Sequence, residues 1–123
     1  MSDNTPDNNI KDRQPGDELD NAIGKHLFGL KIVKMPRGYV FYNGRSWQVV
    51  PPYSITWNGM QMVVEEMDKR KWDFTLFVHS GKNRAEFGRC ISIERATAPH
   101  AVCLAALTAL AMNGGEQNGP GTD

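Results

Sequence analysis

Arg84, Arg89 and Arg95 recur along one short stretch, with Lys82 and Asn83 just before it and Trp72, Phe77 and His79 upstream. Guanidinium groups, an amide and aromatic rings are the side chains a nucleotide needs: charge and N–H donors for its phosphates, a flat face for its base. Thr97-Ala98-Pro99 follows. A threonine here can accept from a backbone N–H as a helix N-cap, and Pro99 falls where no intrahelical N–H is required. A helix begun at Thr97 would hold unpaired N–H groups and a positive dipole end beside Arg95. Phe77, Asn83, Arg84, Arg89, Arg95 and Thr97 are therefore the candidate ligand-binding residues. The plainer alternative makes each arginine a solvated strand end and Thr97 only a cap.

Catalytic chemistry has less support. There is no carboxylate pair and no Ser/His/Asp or Cys/His arrangement with a defined role. Gly81-Lys82 lacks the first glycine and the following Ser/Thr of a phosphate-cradling loop. His26, His79 and His100 are scattered, without the cysteines or carboxylates that a metal site would add. Cys90 and Cys103 read as two buried thiols of a reducing compartment. No enzyme activity, cofactor or metal is expected.

Charge is divided along the chain. The 123 residues carry 14 basic and 14 acidic side chains. Residues 1–20 hold six acids against Lys11 and Arg13, a balance of −4, and residues 112–123 add Glu116 and Asp123. Residues 21–111 carry twelve Lys/Arg against six Asp/Glu, or +6, a basic body suited to an anionic partner. Specific nucleic-acid recognition is not expected from charge alone. No apolar run approaches the roughly 20 residues of a membrane span, and no basic-then-apolar leader opens the chain. The Asp/Asn/Pro-rich segment 1–16 and the Gly/Asn-rich segment 113–123 read as disordered tails flanking one domain, 17–112.

The elements that must position these residues follow from periodicity. Leu19, Ala22, Ile23, His26, Leu27 and Leu30 recur at helical spacing, with Asp17 or Asp20 at the favourable end. Asn43-Gly44, between Gly38–Tyr42 and Arg45–Val50, predicts a hairpin with a type I′ turn. Its aromatics Tyr39, Phe41, Tyr42 and Trp47 read as buried cross-strand pairs, with base stacking the alternative if exposed. Ser54 opens a second helix whose stripe Trp57, Met60, Val63, Val64 and Met67 faces the core. Gly59 inside it suggests close approach of another backbone. Trp72 to His79 alternates, Ser80-Gly81-Lys82-Asn83 turns, and Arg84 to Phe87 begins the return. A nearly all-apolar, small-residue helix then runs from Ala101 to Ala111, usable for packing on a sheet or for joining a partner. Together these predict an α/β (α+β) domain, a three-layer sandwich with helices on both faces of one small antiparallel sheet.

With Pro51-Pro52-Tyr53-Ser54 before an amphipathic helix, then Trp72–Val78, Arg84–Phe87, Thr97-Ala98-Pro99, Ala101-Val102-Cys103 and Ala105-Ala106-Leu107, the chain resembles the phage ABA-sandwich domain family. The resemblance spans about residues 19 to 111, and its motifs are structural. It implies a phage-encoded protein of the host cytoplasm. Some similar proteins are anti-defence sponges, which sequester nucleotide second messengers without turnover: cyclic ADP-ribose isomers of Thoeris or cyclic oligonucleotides of CBASS. By that resemblance the ligand would be a nucleotide second messenger and the protein a homo-oligomer with sites between subunits. No binding residue carries over from the family by motif. The alternative is a non-catalytic protein-interaction module of a phage, with the Ala101–Ala111 helix as its surface.

Overall fold

The computed structural model describes residue 10, residues 12–88 and residues 91–113. Three helices and six strands follow in the order α1 (Asp17–His26), β1 (Val33–Met35), β2 (Gly38–Tyr42), β3 (Trp47–Val49), α2 (Trp57–Lys69), β4 (Phe74–His79), β5 (Lys82–Phe87), β6 (Ile91–Arg95) and α3 (Ala98–Asn113). The fold is α+β, with helix lying against antiparallel sheet as the periodicity predicts. Its strands form two three-stranded sheets, β1-β2-β3 and β4-β5-β6, where one was expected. The interposed helix α2 separates the two hairpin systems along the chain.

Helix α3 is the centre of the molecule. Ala101, Val102, Cys103, Leu104, Ala105 and Ala106 are fully buried, so the helix is surrounded on all sides, as its all-round apolar sequence requires. It packs against β5 and β6 and also against α1 and α2. The central layer is thus a helix, and its alanines let neighbours approach closely on every side. This corrects the expectation that Ala101–Ala111 offers a partner surface: the helix is consumed by its own domain. The described residues cover the second sheet on one face only. Phe74, Leu76, Ala85, Phe87, Ile91 and Ile93 join the core, whereas Thr75, Phe77, His79, Arg84, Ser92 and Glu94 on the other face are exposed. Mostly polar side chains leave that face little to bury.

The helix starts and turns differ in detail from the sequence reading. Thr56, not Ser54, caps α2, its Oγ1 accepting from Gly59 N at 2.9 Å. The type I′ pattern lies at Ser80-Gly81, whose φ angles are +50° and +78°, between the paired residues His79 and Lys82. At Asn43-Gly44 only Gly44 has a positive φ. Asn43 Oδ1 accepts from Arg45 N and Ser46 N at 2.8 and 2.9 Å, closing a four-residue loop between Tyr42 and Trp47. That side-chain bond offers the backbone an alternative to the tight turn. His26 is exposed at the end of α1.

The start of the body lies earlier than expected. Ile10 is buried in the core, and Gly16 N donates to Ser54 Oγ at 2.9 Å. Residues 1–9, residue 11 and most of the expected C-terminal tail, 114–123, fall outside the described residues.

Candidate functional site

Strand alternation divides the expected anion site between two faces. Phe77 and Arg84 are register partners on the open face of the second sheet, and the Arg84 guanidinium lies over the Phe77 ring, 4.3 Å from its centroid. Arg84 Nε also pairs with Glu86 Oε2 at 3.3 Å, and Glu94 is its partner on β6. An exposed ion pair contributes at most about 1 kcal/mol, so Arg84 stays available to an anion. That guanidinium covers one face of the Phe77 ring.

Asn83, Arg95 and Thr97 gather on the other side, at the start of α3. Asn83 is buried, and its Nδ2 donates to the Ala96 carbonyl at 3.0 Å. Arg95 pairs with Asn83 in register, and its Nη1 donates to the Glu94 carbonyl. Thr97 is the cap that the sequence predicts. Its carbonyl accepts from Ala101 N at 3.1 Å and its Oγ1 from His100 N at 3.4 Å. The helix start is also partly roofed, because buried His100 donates from Nε2 to the Arg13 carbonyl at 2.7 Å. Arg89 lies outside the described residues. Lys82 and His79 belong with the Phe77 face, at its turn end, while Trp72 is half-buried beside Gly88.

The first sheet holds a surface that the sequence reading assigned to the core. Register places Val33, Met35, Val40, Tyr42, Trp47 and Val49 on one face. Every side chain there is apolar or aromatic, and five of the six are exposed, Val49 to 73%. The other face sends Tyr39 and Phe41 against the core. The aromatics therefore split: two are packed, and Tyr42 and Trp47 stand in solvent with their rings edge to face at 5.5 Å. Trp57, expected in the core stripe of α2, is also exposed, whereas Met60, Val63 and Met67 are buried. The available signal was that apolar residues occupy both parities of 33–49, which one core cannot cover.

The buried polar groups are structural. Asp20 Oδ1 accepts from Ser54 N at 2.7 Å and from Ser54 Oγ at 2.6 Å, joining α1 to the loop before α2. Burial raises the Asp20 pKa, opposed by those two hydrogen bonds. Desolvation pushes the Tyr53 phenol up to about 12, and the ring stacks on Phe28 at 5.1 Å. Burial likewise raises the Cys103 thiol well above its ordinary value, which leaves it an inert core group. Among the described residues no three His, Cys, Asp or Glu side chains could hold a metal, and no helix is long and apolar enough to cross a membrane.

No family model and no curated protein sequence matches the chain. Among solved structures, the fold is similar to a phage protein from Bacillus cereus ATCC 14579. The TM-score is 0.63 at 20% identity, over 89% of this chain and 97% of that one. At that identity the likeness is one of fold.

Proposed function

We propose that this protein is a phage-encoded accessory protein of the host cytoplasm that works by docking, without turnover, and that the apolar face of β1-β2-β3 is its docking surface. One observation carries the reading: six apolar side chains share a sheet face that nothing in the described chain covers. Contiguous exposed apolar surface of this kind marks interaction sites in soluble proteins. The phage origin is supported by the Bacillus cereus phage protein of the same fold. If the face serves docking and not the core, Val49→Lys and Trp47→Lys will leave the melting temperature within a few degrees of the parent, as surface substitutions do. A collapse of the melt would place these side chains in the chain's own core and end the reading.

A second reading, an anti-defence sponge for a nucleotide second messenger such as a cyclic ADP-ribose isomer or cyclic oligonucleotide, has its own support. Arg84 over Phe77 on an open sheet face is a cation beside an aromatic ring, held at a fixed position by register. In an assembly, a second subunit would supply the missing wall of such a site. Heating the protein with a panel of cyclic nucleotides tests it, because a bound ligand raises the melting temperature with concentration. The sponge reading expects a shift that Arg84→Ala abolishes, and no shift with any of them would remove it.

A further inference from the structure

The apolar face of β1-β2-β3 tapers. At one end Tyr42 and Trp47 are register partners, two rings standing out from the sheet. At the other end Met35 pairs with Gly38, which has no side chain. Val33, Val40 and Val49 form the row between them. A flat partner would meet the rings and leave a gap over Gly38. A second copy turned by 180° fills that gap, since each aromatic end then lies over the other copy's glycine end. Along β2 the midpoint between Gly38 and Tyr42 is Val40. Accepting the docking reading above, we infer that the occupant of this face is a second copy of the chain, packed sheet to sheet about a two-fold axis that passes by Val40.

Size admits this occupant, and charge sets how the pairing responds to salt. Val33, Met35, Tyr42, Trp47 and Val49 are 43%, 45%, 54%, 56% and 73% exposed. From the areas such side chains bury, the face offers on the order of 500 Å². Two copies would bury about 1,000 Å² in all, the lower limit for a specific interface, so the dimer is weak and concentration-dependent. No charged group on the face has to be desolvated. Arg37 and Arg45 lie in the turns at opposite ends of the sheet, and the two-fold brings the Arg37 turn of one copy toward the Arg45 turn of the other. Residues 21–64 of the sequence contain no acid. Screening that repulsion makes added salt tighten the dimer, whereas an anionic occupant would be released by salt.

Sedimentation velocity on the full chain, in a concentration series at low and high sodium chloride, tests the inference. The expected result is a monomer–dimer equilibrium that shifts toward dimer with salt and weakens about tenfold or more in Val49→Lys or Trp47→Lys. Because facing sheets pack about 10 Å apart, Val40→Cys should give a covalent dimer on a denaturing gel with a bismaleimide crosslinker of matching span, and Ser92→Cys, on the open face of the second sheet, should not. A dimer unaffected by Val49→Lys, or one that salt dissociates, would overturn the inference. A monomer at every concentration would overturn it too, and the Val49→Lys melt then separates two cases. An unchanged melt leaves docking to another partner standing. A collapsed melt ends the docking reading as well.

Discussion

A hydrogen in place of a methyl group decides how α2 meets the chain before it. A Cβ on Gly59 would lie 2.5 Å from the Pro52 carbonyl oxygen and 2.7 Å from Tyr53 Cα, both backbone atoms that cannot rotate away. Alanine would gain about 1 kcal/mol of helix propensity there, but overpacking against fixed atoms costs about 1–3 kcal/mol or more. The clash wins, so Gly59→Ala should lower the unfolding midpoint in a denaturant titration; a raised midpoint would mean residues 52–53 yield. Asp20 gives a second expectation. Its carboxyl ionises near 3.8 when unfolded and at a higher pH when folded, so its contribution favours the fold most below 3.8 and is lost as pH rises through the folded value. Asp20→Asn keeps an acceptor for Ser54 and removes that loss, so melts of the variant followed upward from pH 3.8 should decline less than the parent's. Asp20→Ala strands the buried Ser54 N–H and hydroxyl and should cost about 1–3 kcal/mol. The close approach at Gly59 was legible in the sequence, because a glycine inside a strong helix asks for a reason. The Asp20–Ser54 clasp was not, since its partners are 34 residues apart and each has an ordinary local reading, as helix-start acid and helix-opening serine.

At the scale of elements, local signals located the helices and misjudged the turns. The periodicity over 19–30 gave α1, and Thr97 and Pro99 gave the start of α3. Two hairpins were also visible, but the positive-φ pair went to Ser80-Gly81 because Asn43 spends its side chain on Arg45 N and Ser46 N. Ser80 holds a left-handed conformation that asparagine or glycine adopts more readily. Ser80→Asn should therefore stabilise the protein by a few tenths of a kcal/mol to about 1 kcal/mol, read from chemical denaturation, and destabilisation would contradict the turn assignment. The candidate anion residues divide at this scale. Phe77 and Arg84 meet as their parity requires, but Asn83, one residue away, belongs to the opposite face of the same strand. Neighbouring residues on a strand point to opposite faces, so Asn83 and Arg84 cannot share one site on the sheet.

For the whole molecule, sequence conveyed the α+β class but not which element would be central. A helix apolar all round, against neighbours with one apolar side each, goes to the middle, and α3 does so. Placing a helix there leaves the first sheet only one face's worth of core, and its remaining apolar side chains stand outside. That surplus is the basis for docking as the function. Oxidative footprinting reads it most directly, since methionine, tyrosine and tryptophan on the face are all reactive and Trp57 on α2 is an exposed reference. Labelling of Met35, Tyr42 and Trp47 relative to Trp57 should fall as protein concentration rises, and the fall should be absent in Val49→Lys. Equal labelling of the three at every concentration, or protection that persists in the variant, would contradict a docking face between copies.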